Sequence, residues 1–436
     1  MARTKFIEIR RQLTSLISTR ALNELARLTG LVKRRRKVEP MALFWTIVLG
    51  FGEGRQRKLA GLRRLYQKST GETLVPSAFY DRFTKSLAEF FRVVVAELID
   101  SVGKAEARFD GILASFKDVV ATDSTLVRLH DLLERSFPAC RTNHTRAAAK
   151  LHVVMSVRGR GPRSVKITSG RQHDGPVFRV GRWVKDRLLL FDLGYFRYAL
   201  FDAIDRHGGY FVSRLKENAN PLVTATWGPA GGGRLEMVGQ RLRDVVSRLR
   251  REEVDIEVEV TFPRRTYAGV RSGARRRLRV VGVRDAVTAR YHLYATNIPV
   301  ETLSAKQVAA VYTARWQVEL LFKEMKSHYR LAEMPSRKRP IVETLLLATV
   351  VTLIVSRRLL QAVREKLGRE ARRVPDGRWA AIFAQAAGKI LDVMLLPRPV
   401  GEALARWLEP MLVHEAVDPN LSRSLLLNRV ECASIP

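Results

Sequence analysis

The sequence predicts an α/β protein: a strand-bearing core, a β-rich insertion within that core, and helical regions at both ends. Three observations carry the prediction. Apolar residues recur at three- and four-residue spacing through Leu13–Leu31, Met41–Phe51 and Ala88–Val102, the period of a helix with one buried face. From Lys117 the pattern changes to short β-rich runs that alternate with a helical stretch. A third block, Val254–Phe262, Leu278–Val283 and Tyr291–Thr296, is strand-like throughout. The resulting divisions are 1–115, helical; 116–215, first part of the core; 216–300, β-rich insertion; 301–365, second part of the core; and 366–436, helical.

In the first region, basic clusters lie between the helices: Lys33-Arg34-Arg35-Arg36-Lys37, Arg55–Lys58 and Arg63-Arg64. Lys58–Lys68, a turn with Gly71 and Pro76, and Ser77–Phe91 suggest a helix-turn-helix-like pair. Ser77 would cap the second helix, with Arg82 and Lys85 facing outward. This basic helical region is the expected DNA-binding part.

Lys117–Thr122 is a short strand that runs into Asp123-Ser124-Thr125. Leu151–Val157 and Val165–Ser169 flank a Gly159–Pro162 turn, as in a hairpin. Leu188–Phe191 is continuously apolar, the mark of a buried central strand, and it leads into Asp192-Leu193-Gly194-Tyr195-Phe196. A helix at Tyr198–His207 and a strand at Tyr210–Arg214 follow. Pro221–Gly233 reads as a loop, and its glycines lack the strand–GK[ST]–helix setting of a phosphate loop. His173-Asp174 reads as a structural turn near these strands.

Ser304-Ala305-Lys306-Gln307 has the form of a capping box and opens a helix that runs through Tyr312–Lys326. At about 100° per residue, Tyr312, Arg315, Glu319 and Lys326 fall at roughly 0°, −60°, −20° and −40°, one narrow stripe with Lys323 beside it. Val311, Ala314, Val318, Leu321, Phe322 and Met325 cover the side to be buried. Trp316 lies across the stripe and is expected to pack on a neighbouring element. Ile341–Val355 is apolar but interrupted by Glu343, Thr344, Thr349 and Thr352. It is short for a membrane span and reads as a buried helix, so no membrane partner is expected.

Of 436 residues 46% are hydrophobic, enough for a substantial core. The net charge is +34, from 77 Lys and Arg against 43 Asp and Glu. Such an excess favours a polyanion, first of all nucleic acid, because each neutralised phosphate releases counterions. Cys140 and Cys432 are the only cysteines, which excludes a disulfide framework and a cysteine-rich zinc site and fits a reducing cytosol. The N-terminus has no secretory apolar core. No G-x-S-x-G nucleophile motif and no clustered histidines are present.

Asp123 and Asp192 each follow an apolar strand, and Glu319 comes from a helix able to lie across both strand ends. Three such carboxylates repel one another unless cations bind, and oxygen-only ligands suit Mg²⁺ or Mn²⁺. A pair of such ions suits phosphoryl transfer at nucleic acid, one activating the attacking oxygen and one stabilising the leaving oxygen.

The helix reads Tyr312-x2-Arg315-x3-Glu319-x6-Lys326, with Arg315-Trp316, Phe322-Lys323 and Lys326-Ser327 around it. This resembles the signature of insertion-sequence family four, the DDE transposases of bacteria. Asp192-Leu193-Gly194-Tyr195-Phe196 resembles the family's second motif and Ala121-Thr122-Asp123-Ser124-Thr125 its first. The resemblance covers Lys117–Leu331. It implies a ribonuclease-H-like mixed-sheet core, with Asp123, Asp192 and Glu319 as ligands of two Mg²⁺ or Mn²⁺ ions. It also implies that Tyr312, Arg315 and Lys326, with Lys323 beside them, contact phosphates at the scissile bond. The implied activity is cleavage at transposon ends and strand transfer into target DNA. The implied partners are double-stranded DNA, as terminal repeats and target, and a second copy of the chain on paired ends. The expected place of action is the bacterial cytoplasm, on the nucleoid. Relatives can stack a flipped base on a Trp shortly before this helix, where this chain has Tyr291-His292-Leu293-Tyr294 and no Trp. Two alternatives stay open: a metal-dependent nuclease without strand transfer, and a non-catalytic DNA-binding protein derived from a transposase.

Overall fold

The computed structural model describes residues 8–34, 38–52, 57–103, 111–140, 145–227, 237–267 and 270–420. Arg35, Arg36 and Lys37 of the first basic run, residues 53–56, the glycine-rich 228–233 and Cys432 lie outside the described residues.

Among the described residues six α-helices precede the first strand: α1 (Ile9–Leu16), α2 (Thr19–Leu28), α3 (Pro40–Leu49), α4 (Leu59–Thr70), α5 (Pro76–Tyr80) and α6 (Lys85–Gly103). The periodic run at Leu13–Leu31 is two helices, because Ser18 caps α2 by accepting the N–H of Ala21. Ser77 caps nothing. Pro76 opens α5 after Val75, the position where a missing N–H costs no helical bond, and α5 ends at Tyr80 before α6 begins.

The core elements are β1 (Asp118–Arg128), β2 (Ala148–Ser156), β3 (Gly161–Ser169), α7 (Asp174–Val177), β4 (Arg187–Phe191), α8 (Tyr198–Arg206) and β5 (Tyr210–Arg214). Then come β6 (Leu222–Thr226), α9 (Leu242–Arg248), β7 (Glu253–Tyr267), β8 (Val270–Arg284) and β9 (Tyr291–Thr296). All nine strands make one mixed sheet in the order β3-β2-β1-β4-β5-β9-β8-β7-β6. β1, β4 and β5 are parallel and central; the pairs outside them are antiparallel. Strands β6–β9 thus extend the central sheet rather than forming a sheet of their own. Across β7 and β8, Asp255 pairs with Arg279, Glu257 with Arg277 and Glu259 with Arg275, a ladder of opposite charges set diagonally, each acid reaching the arginine two residues from its own register partner. Arg279 is buried, and it also donates to the carbonyls of Ile298 and Leu303 at 3.0 and 2.8 Å. Those bonds fix the approach to the next helix.

The expected single helix over Ser304–Lys326 is two. Ser304 and Gln307 form the capping box of α10 (Ala305–Tyr312), a 3-10 turn occupies Thr313–Arg315, and α11 (Trp316–Ser327) follows. α12 (Arg339–Leu367), α13 (Asp376–Leu395) and α14 (Arg398–Ala416) complete the order. α12 is long and apolar enough to cross a membrane, but 83% of its most apolar window is buried inside the protein. It is the axis of a helical core shared by both ends of the chain: Ile9, Phe44, Phe90, Leu346, Phe383 and Leu408 belong to one apolar cluster.

Arg57, read in the sequence as part of a basic run, is turned inward and 2% exposed. It donates to the carbonyls of Ile47, Val48 and Tyr329 and to the hydroxyls of Thr349 and Thr352. Burial lowers its pKa to about 9. The N-terminal helices are therefore tied to α12 by a fully hydrogen-bonded guanidinium.

Candidate functional site: the carboxylates where the parallel pairing ends

The hydrogen-bond register builds the site. β1 and β4 pair in parallel up to Thr122 opposite Phe191, so the next residues, Asp123 and Asp192, leave that pairing side by side. β1 does not stop there. It continues against β2, with Asp123 opposite Val153, so Asp123 stands on a paired strand rather than at a free end. Alternation sets the face. Ala121 packs in the cluster that holds Val318, Leu321 and Phe322 of α11, and Leu190 packs in the one that holds Val308 and Val311 of α10. Two residues on, Asp123 and Asp192 return to the face that these two helices cover.

The 3-10 turn changes the expected stripe. A 3-10 helix turns roughly 120° per residue, so Tyr312 is rotated off the exposed line. It is buried, and its hydroxyl donates to the carbonyl of Phe191 at 3.2 Å. The stripe predicts Tyr312 on the helix surface facing phosphates; in the structure it is a strut against the end of β4. Arg315 follows at the end of the turn, its side chain 13% exposed. Its Nη2 donates to Glu319 Oε1 at 2.6 Å and its Nη1 lies 4.0 Å from Asp123 Oδ2. Lys323 and Lys326 are exposed one and two turns further on. Trp316, expected to pack on a neighbour, is 51% exposed. Tyr294 packs its ring 4.8 Å from that of Tyr312.

The electrostatics tie the three carboxylates together. Burial pushes the Asp123 carboxyl up to about 6; Asp192 and Glu319 add to the rise, against the Ser124 N–H and Arg315. Burial opposes the charge of Arg315, yet Glu319 and Asp192 hold its pKa above the ordinary value. Burial also raises the Tyr312 phenol to about 12 and lowers Lys326.

Behind β1 stands a group that sequence reading took for a structural turn. Ser124 faces away from Asp123 and donates to Asp174 Oδ1 at 2.6 Å. Lys150 Nζ and His152 Nδ1 lie 3.4 and 3.3 Å from the same oxygen. Burial would raise the Asp174 carboxyl, but His152, Ser124 and Lys150 hold it down to about 2. This cluster braces the strand from its far side. His173-Asp174 alone carried no sign of it, since its partners come from β1 and β2.

A second group is likewise invisible in the sequence. Glu324 of α11 is buried, accepts from Tyr329 at 2.6 Å and pairs with Arg357. Arg357 also meets Asp376, which Arg160 and Arg364 reach at 3.0 and 2.7 Å. The helix carrying Glu319 is thereby anchored to α12, α13 and the β2–β3 turn.

Among the described residues no group of three or more His, Cys, Asp or Glu side chains is closed tightly enough to hold a metal ion. Arg315 stands between Glu319 and Asp123. The donor set nevertheless fits a hard divalent cation: it is all carboxylate oxygen, and Asp123 already feels the charges of its two companions. Arg315 Nε is buried without a hydrogen-bond partner among the described residues.

The Transposase DDE domain family matches residues 114–355. The transposase for insertion sequence element IS231F of Bacillus thuringiensis subsp. israelensis is 23% identical over 387 residues, 82% of this chain and 80% of that protein. The transposase for IS1151 of Clostridium perfringens is 22% identical over 330 residues, 68% of this chain and 69% of that one. Among solved structures, a piggyBac transposase synaptic complex with hairpin DNA matches with a TM-score of 0.48 at 10% identity, over 96% of this chain and 87% of that chain. That likeness is too loose to transfer anything.

Proposed function

The chain belongs to the Transposase DDE domain family, and from that premise we propose that it cleaves DNA at transposon ends and joins them to target DNA through Asp123, Asp192 and Glu319. The observation that carries this reading is the register: Asp123 and Asp192 leave the Thr122–Phe191 pair side by side on the face that Glu319 approaches.

In this reading the three carboxylates hold two Mg²⁺ or Mn²⁺ ions. Bound there, the ions would activate a water or a 3′-hydroxyl and stabilise the leaving oxygen. The chain's own side chains do the rest. Arg315 offers a rigid fork to phosphate oxygens, and Lys323 and Lys326 offer mobile charges along the DNA backbone. Tyr312 acts from beneath, holding the turn against the strand that carries Asp192.

Residues 116–215 and 301–365 form a ribonuclease-H-like core, supported by three antiparallel strands followed by two parallel ones in the order β3-β2-β1-β4-β5. Residues 216–300 interrupt that core. Residues 1–115 bind DNA, 366–436 contact a second copy, and the protein works in the cytoplasm on nucleoid DNA.

The test is substitution of the carboxylates. Asp123→Asn, Asp192→Asn and Glu319→Gln each abolish Mg²⁺-dependent end cleavage while binding of the end DNA persists. Cleavage at the wild-type rate by any of the three would overturn the assignment. A pre-nicked end offered with target DNA gives a joined product; hydrolysis alone would make the protein a nuclease.

A further inference from the structure

The same register that sets out the two aspartates brings a third residue into line. Phe191 pairs with Ser213 of β5 just as it does with Thr122 of β1. The next row across the three parallel strands is therefore Asp123, Asp192, Arg214. Neighbouring strands lie about 4.8 Å apart, so Arg214 starts one strand spacing beyond Asp192. Its face is fixed too. Val212 packs with Leu190, Val308, Val311 and Tyr312, and two residues on Arg214 returns to that side.

Arg214 is exposed, and its charge acts on the phenols of Tyr294 and Tyr312. Among the described residues its guanidinium has no carboxylate or hydrogen-bond partner. The contrast with β8 is direct, since Arg275, Arg277 and Arg279 are each matched by an acid of β7. Arg315 and Arg214 thus stand on the two sides of Asp192, one drawn to the carboxylates and one free of them.

We infer that Arg214 is a further substrate-positioning residue, whose guanidinium holds a DNA phosphate on the β5 side of Asp192. The inference rests on the reading of Asp123, Asp192 and Glu319 as the cleavage centre. A free arginine fork beside two carboxylates attracts an anion that the carboxylates themselves repel. Held there, the phosphate fixes the DNA strand from the side opposite Lys326, so the strand crosses Asp192 between two fixed points.

The test uses the full chain and a duplex carrying the inverted repeat that borders its coding sequence. Binding is measured over a salt series and nicking with Mg²⁺, for wild type, Arg214→Ala, Arg214→Lys and Asp123→Asn. Arg214→Ala is expected to weaken binding several-fold and to reduce the slope of log affinity against log salt by about one. Nicking should fall at least tenfold with the melting temperature unchanged. Arg214→Lys should restore the salt slope and part of the nicking. Arg214→Ala with wild-type slope and nicking, beside an inactive Asp123→Asn, overturns the role of Arg214 alone. Asp123→Asn nicking like wild type overturns the cleavage centre and this inference with it.

Discussion

Tyr312 donates its phenolic hydrogen to the carbonyl of Phe191, and Phe191 is the residue immediately before Asp192. The bond joins the end of α10 to the end of β4, where no strand pairing with α10 could exist. Tyr312→Phe keeps the ring against Tyr294 and removes only that donor. Stability should fall by about 1 kcal/mol in urea denaturation. DNA affinity should stay level, while the cleavage rate drops several-fold because the turn is no longer held over Asp192.

Arg57 holds five acceptors inside the helical core, and among the described residues no carboxylate pairs with it. Arg57→Met fills much of the volume but leaves the carbonyls of Ile47 and Tyr329 without their side-chain donor, while that of Val48 keeps the Thr352 hydroxyl. The loss should be about 3 kcal/mol or more. Limited proteolysis should then cut the N-terminal helices earlier than the sheet, since their tie to α12 is gone.

Asp376 collects Arg160, Arg357 and Arg364, and these hold its carboxyl below the ordinary aspartate range despite burial. The unfolded chain therefore takes up this proton first as the pH falls. The stability that Asp376 contributes is present above about pH 4 and is lost in more acid solution. Asp376→Asn should cost about 3 kcal/mol at neutral pH and flatten the acid limb of the denaturation profile. Glu324 works the other way. Burial raises it to about 6, so between its unfolded value near 4.5 and about 6 it makes stability fall as pH rises. Glu324→Gln should remove that slope.

Trp316 is half exposed on the first turn of α11. Trp316→Ala should change stability by less than about 0.5 kcal/mol in the same denaturation assay. A larger loss would mean that the indole packs on the body of the protein.

Much of this architecture is legible along the chain because its signals are local. An apolar run of four residues, Leu188–Phe191, marks β4, the S-x-x-Q box marks the start of α10, and the order of strand, Asp, strand, Asp and helical Glu is plain. What escapes is non-local. Nothing near Thr313–Arg315 announces a 3-10 turn, which comes from seating α10 and α11 in different cores. Arg57 looks like its basic neighbours until the carbonyls of α3 and Tyr329 surround it. Asp376 carries no local sign of its role, yet it is held by arginines from two other segments, Arg160 of the β2–β3 turn and Arg357 and Arg364 of α12. Arg214 could have been found by laying β5 in register beside β4 and reading one residue past the last pair.

The turn between α10 and α11 has a mechanical consequence. α10 is seated with the parallel strands, in the cluster of Leu190 and Val212, whereas α11 is seated in a second cluster with β1, β2, α12 and the terminal helices. Thr313–Arg315 is thus a knee between two bodies, and the side chain at its lower end bridges Glu319 and Asp123. Any displacement of α11 relative to α10 is taken up at this turn and changes the distance from Glu319 to Asp192. In the proposed reading, DNA held by the N-terminal helices would act on the spacing of the carboxylates through this turn.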